Sequence, residues 1–108
     1  MAASDSGSED LQPIAGIDRL IHEPARLMIM AYLYVVESAD FLFLMRQTGL
    51  TAGNLSSHTS KLEAAGYIEV VKEFVNRKPH TMLRLTDEGR GAFREYREGM
   101  MRVLGEDG

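Results

Sequence analysis

Phe41 to Tyr67 reads FLFLMRQTGLTAGNLSSHTSKLEAAGY, and the rest of the chain is arranged around it. The stretch predicts two short helices joined by a tight turn at Gly49-Leu50-Thr51. Leu42 to Thr48 forms the first helix, with Phe41, Leu44 and Met45 facing in. Gly49 supplies the positive φ that stops a helix, and Thr51 is a good N-cap for the next one. That second helix is expected from Ala52 to Ala65. Turning 100° per residue puts Leu55, Thr59 and Leu62 on one side. Gly53, Ser56, Ser57, Ser60, Lys61 and Ala64 fall on the other, with Asn54 at the edge near the N-terminus. His58 lies toward the inward side and reads as a packed histidine.

An ordinary solvated helix favours Glu, Lys, Gln and Arg, which propagate helix better than Ser, Asn or Gly. A face of weak helix formers needs another reason. Small side chains let the helix axis approach a groove closely, and hydroxyls bond phosphates or base edges. The face therefore predicts a helix that enters the major groove of DNA.

Outward on the C-terminal side, Gly66 ends the helix. Tyr67 to Phe74 (YIEVVKEF) and Thr81 to Thr86 (TMLRLT) are β-rich and predict a hairpin. Between them Val75 to His80 reads as a basic loop that can straddle a phosphate backbone or dip an Arg into the minor groove. Thr86 caps a final helix, with Asp87 and Glu88 at the positive end of its dipole. Phe93, Tyr96, Met100, Val103 and Leu104 form one apolar seam. A small domain has little to cover it, so a two-fold partner helix is expected there, together with Ile17. Gly91 and Gly99 weaken this helix and are tolerable where close packing needs them.

On the N-terminal side, Ala39-Asp40-Phe41 reads as a short edge strand. Pro24 suits the first position of a helix running to about Ser38, apolar nearly all round and so central. Met28 and Met30 read as core filler, with an effector pocket as the other reading. Ile14, Ile17, Leu20 and Ile21 put one stripe on a short helix from Ile14 to His22. Residues 1–13 are Ser, Gly and acid and are expected to be a disordered tail; 14–104 form one domain, and 105–108 a second tail.

The 108 residues suffice for one modest core and not for a cleft plus a second domain. No cysteine is present, which excludes disulfides and thiolate metal sites and suits a cytoplasmic protein. His22, His58 and His80 lack metal-ligand spacing, and no carboxylate is paired with His or Ser in a catalytic spacing. Neither catalytic residues nor a metal or other cofactor are expected. The longest apolar run is Leu27 to Val36, short of the roughly 20 residues of a membrane span.

The net charge of −4 opposes DNA binding at first sight. Residues 1–23 hold five acids against one arginine, a local −4. Residues 46–81 hold five Lys and Arg against three Glu, a local +2. Such a patch predicts moderate, salt-sensitive affinity, raised by pairing two subunits.

Four motifs together resemble the winged-helix transcriptional regulators of the MarR/ArsR-like superfamily, and among them the small stand-alone winged helix DNA-binding domain members. They are L-T-x-G-N-L-S-x-H at 50–58, K-L-E-x-A-G-Y at 61–67, the basic wing at 76–80 and L-T-x-E-G-R at 85–90, preceded by I-H-x-P-x-R-L at 21–27. The resemblance implies a mainly α fold with a small β-hairpin, a winged helix-turn-helix with N- and C-terminal dimerisation helices. It implies a homodimer on a palindromic double-stranded operator, with half-sites roughly 34 Å apart. It carries DNA contact onto Thr51, Asn54, Ser56, Ser57, Ser60 and Lys61, and onto Arg77 and Lys78 in the wing. Many relatives have arginines where this chain has Ser57 and Ser60. Metal sensing is not carried over, because its ligands are missing. A winged helix used only for protein contact is the alternative reading; it predicts no salt-dependent DNA binding.

Overall fold

The computed structural model describes residues 16–105. Glu23 opens the first helix: its backbone is extended and its carboxylate accepts from the Arg26 N–H at 2.8 Å. With Pro24 needing no donor partner, helix α1 runs Pro24–Val36. It is central, as its composition predicts, and touches every other helix. Ile29, Met30 and Leu33 are fully buried, which places Met30 in the core. Glu37 ends α1 with a positive φ of 71°.

Strand β1 (Ser38–Asp40) follows at once, and Asp40 then caps helix α2 (Phe41–Thr48) by accepting from the Leu42 N–H at 2.7 Å. Gly49, at φ 72°, ends α2, and helix α3 spans Ala52–Ala64. Strands β2 (Ile68–Val75) and β3 (Lys78–Leu85) form the hairpin, and helix α4 (Asp87–Leu104) closes the domain. The antiparallel sheet has the order β1-β3-β2, so the expected edge strand pairs with the return strand of the hairpin, Ala39 opposite Leu83. This is the winged helix architecture the motifs imply.

The core lies where α1, α2, α3 and α4 close on the inner end of the sheet. Ile21, Leu44, Leu55, Leu62 and Leu83 join the three α1 residues there with no exposure. Each such side chain stabilises the fold by about 1.5–3 kcal/mol relative to an exposed position. No helix among the described residues is long and apolar enough to cross a membrane.

Three expectations need correction. The segment before α1 is not a helix: residues 16–23 form turns and bends, and Ile14 lies outside the described residues. The cause is local. The Asp18 carboxylate accepts from the Leu20 and Ile21 N–H groups at 2.8 and 3.3 Å, and Glu23 is extended before Pro24. Ile17 and Ile21 still reach the core. The expected acidic tail, residues 1–13, lies outside the described residues, as does most of 105–108.

Second, the hairpin has no six-residue loop. Asn76 and Arg77 alone make the turn, at φ 54° and 68°, and Lys78, Pro79 and His80 belong to β3. Positive φ at both central residues is the mirror-image turn whose twist suits two-residue hairpins. Third, the helix glycines divide differently. A Cβ on Gly91 meets nothing within 4 Å, so packing does not require this glycine. Gly91→Ala should therefore raise stability by about 1 kcal/mol, read as a higher urea midpoint at unchanged slope. A Cβ on Gly99 would stand 2.7 Å from the Ile17 side chain, so that glycine lets the N-terminal turn lie against α4.

Candidate nucleic-acid interface

Thr51 has an extended backbone, and its hydroxyl oxygen accepts from the Asn54 N–H at 3.2 Å. The cap fixes where α3 begins and therefore which side chains face out. Leu55, Thr59 and Leu62 are the buried residues of α3. Gly53, Asn54, Ser56, Ser57, Ser60, Lys61 and Ala64 are all exposed, as the helical wheel predicts. Nothing within the described residues covers this face. Thr59 resolves its buried hydroxyl by donating to the Ser56 carbonyl at 3.1 Å.

His58 sits between that face and the core and anchors α3 to the segment before α1. The Arg26 guanidinium lies 3.1 Å from His58 Nδ1 and donates its Nε–H to the Leu20 carbonyl at 2.6 Å. Arginine has only donors, so His58 Nδ1 is the acceptor in this contact. The Glu23 carboxylate, 3.9 Å from the same nitrogen, is held below the usual carboxylate range, first by the Arg26 N–H. The histidine is thus a packed, hydrogen-bonded residue, as its wheel position predicts.

The wing is a twisted two-stranded ribbon. Its register pairs Val70 with Leu83, Lys72 with Thr81 and Phe74 with Pro79. Side chains alternate across a strand, so these pairs share one face. That face turns toward α3: Val70, Lys72, Thr81 and Leu83 line one crevice with Ser56, Thr59 and Ser60. Arg77 stands at the turn, and both it and Lys78 are exposed. Neither forms an ion pair among the described residues, whereas Arg84 is bound to Glu69 at 2.7 Å.

His80, expected near the wing tip, has another task. Its Nδ1 lies 2.8 Å from the Asp40 carboxylate. That hydrogen bond, followed by those from the Leu42 and Phe43 amides, holds the Asp40 carboxyl below its ordinary range. One carboxylate thus ties the wing strand to the start of α2. A carboxyl held low adds stability above its ordinary range, and that stability is lost as pH falls through the lowered value.

The base of the wing is tied as tightly. The Tyr67 hydroxyl donates to the Asp18 carboxylate; burial and that partner push the phenol up to about 12. The Thr86 N–H donates to the Tyr67 carbonyl at 3.0 Å, and its hydroxyl donates to the Gly66 carbonyl at 2.6 Å. The Thr86 hydroxyl oxygen accepts from the Gly89 N–H at 2.9 Å. The end of α3, the wing and α4 therefore meet in one bonded corner. Tyr67, Asp40 and Gly89 are structural supports; Tyr67 and Gly89 stand in the quoted motifs, but the pattern does not show what they hold. The pairing of Tyr67 with Asp18 spans 49 positions.

The residues expected to meet a partner helix are placed in two groups. Ile17, Phe93 and Tyr96 are buried inside the chain, the last with its hydroxyl 2.8 Å from His22 Nδ1. Met100 and Val103 are half-buried, and Leu104 is 75% exposed. Met101 beside them is also exposed.

Residues 25–104 match the family model described as "Winged helix DNA-binding domain". An uncharacterized protein from Methanocaldococcus jannaschii is 35% identical over 78 residues, spanning 72% of this chain and 85% of that protein. Among solved structures, the transcriptional regulator homologue from Pyrococcus horikoshii OT3 superposes with a TM-score of 0.82 at 30% identity. That match covers 91% of this chain and 96% of the other. A mutant MarR from E. coli, complexed with operator DNA, shares the fold with a TM-score of 0.61 at 14% identity. It matches over 93% of this chain and 64% of its own.

Proposed function

The chain belongs to the winged helix DNA-binding domain family, and with a Pyrococcus horikoshii OT3 transcriptional regulator homologue among its similar structures, we propose that it is a dimeric, sequence-specific DNA-binding regulator and not an enzyme. The observation that carries the reading is the uncovered outer face of α3, with three serines, an asparagine and Lys61. Asn54, Ser56, Ser57 and Ser60 enter the major groove and read base edges, while Thr51 and Lys61 hold the flanking backbone. Arg77 and Lys78 carry the wing onto the adjacent backbone and minor groove.

Pairing of two subunits uses the C-terminal end of α4. Met100, Val103 and Leu104 continue the seam after Phe93 and Tyr96 have been used inside the chain, and Met101 widens it. An exposed apolar stripe of this kind suits a symmetric helix pair. Two weak half-site contacts then add through the link between subunits.

Selection of bound sequences from random duplexes, run at two salt concentrations, tests the reading. An enriched palindrome with half-sites about one helical turn apart is the expected result. Retention of no duplex at low salt would remove the regulator reading and leave the protein-contact alternative.

A further inference from the structure

A helix in the major groove and a wing in the next minor groove have one sugar–phosphate strand running between them. The residues between α3 and the wing must face that strand. Here they form a crevice of about 250 Å³. Its lining divides by chemistry. Phe41 and Val70 supply apolar surface, while Ser56, Ser60, Thr81 and Lys72 supply hydroxyls and one cation. Glu63 joins them from the last turns of α3.

We infer that this crevice is a seat for one sugar–phosphate unit of the DNA backbone, with Lys72 as its cation and Glu63 as a built-in brake on affinity. The inference rests on the DNA-binding reading above and adds a contact that neither the turn-helix motif nor the wing tip contains. The apolar surface suits the carbon edge of a deoxyribose. The Thr81 hydroxyl is a donor for a phosphate oxygen, and Lys72 stands opposite Thr81 in the register. Glu63 opposes the same phosphate by like charge. Its presence gives a physical reason for an affinity set below the maximum, in a chain whose DNA-facing segment carries only a small positive excess.

The test compares Lys72→Gln and Glu63→Gln with the unchanged chain on one duplex over a series of salt concentrations. Both positions are exposed, so neither change should move the unfolding midpoint. Lys72→Gln should weaken binding on every sequence and flatten the log–log salt slope by about 1 per subunit. Glu63→Gln should tighten binding by roughly two- to fivefold at low salt. Thermal stabilisation by millimolar inorganic phosphate, with both slopes unchanged, would assign the crevice to a free anion and overturn the inference. If both variants match the unchanged chain while loss of Arg77 and Lys78 weakens binding, the seat is wrong and the regulator reading stands. If the unchanged chain binds no duplex, both go.

Discussion

Gly89→Ala is expected to cost about 3 kcal/mol or more and to lower the melting temperature by well over 10 °C. A Cβ at this position would lie 1.9 Å from the Tyr67 carbonyl oxygen and 2.8 Å from its carbonyl carbon. The obstacle is backbone, so no side chain can swing aside. That carbonyl is itself held by the Thr86 N–H, and Gly89 donates to the Thr86 hydroxyl. Relief would need α4 to lift from the corner where α3, the wing and α4 are joined. Ordinary overpacking costs about 1–3 kcal/mol because neighbours shift; here the neighbours are pinned. The contrast with Gly91→Ala, two residues along the same helix and expected to stabilise, makes the measurement internal: calorimetry or urea unfolding should give changes of opposite sign. Equal effects at the two positions would show that helix propensity, not the close approach to Tyr67, governs this helix.

Removing the two wing cations has the largest expected effect on binding. Arg77→Gly combined with Lys78→Ala should reduce affinity for any duplex by roughly sixtyfold per subunit engaged at 0.1 M salt. The estimate takes about 0.9 released counterions per phosphate contact, hence about eightfold per contact at that salt, for two contacts in one subunit. Glycine is chosen at Arg77 because φ there is 68°, a conformation that costs a side chain about 1–2 kcal/mol. The pair therefore removes charge while relaxing the turn, and a loss of binding cannot be blamed on a collapsed wing. Filter binding across a salt series checks both the affinity and the slope. Unchanged binding would mean that the wing does not touch the backbone, and the proposed contact role of Arg77 and Lys78 would be withdrawn.

Local signals made the helix-turn-helix legible. Gly49 announced a positive φ, Thr51 an N-cap, and the threefold and fourfold spacing of Leu55, Thr59 and Leu62 an inward stripe; the structure has all three. The outer face of α3 followed as the complement of that stripe. The wing was legible as a hairpin because β-rich runs flank a polar segment. Its turn was not, because a mirror-image turn is signalled by Asn-Gly or Gly-Gly, and here Asn76-Arg77 takes that geometry without glycine. Register decided what propensity could not, drawing Lys78, Pro79 and His80 out of the loop and setting Lys72 beside α3.

The sequence by itself therefore determined the helices from α1 onward, the hairpin, their order and the side chains that α3 turns outward. These depend on φ preference, capping and periodicity, all properties of neighbours within a few residues. Only the tertiary structure decided which of the α4 glycines are indispensable and which part of the α4 seam stays exposed. Those outcomes depend on groups far apart in the chain: Tyr67 against Gly89, Ile17 against Gly99. Contacts at such separations leave no periodic trace in a sequence, since nothing local requires them; they exist because chain closure brings the two surfaces to one place.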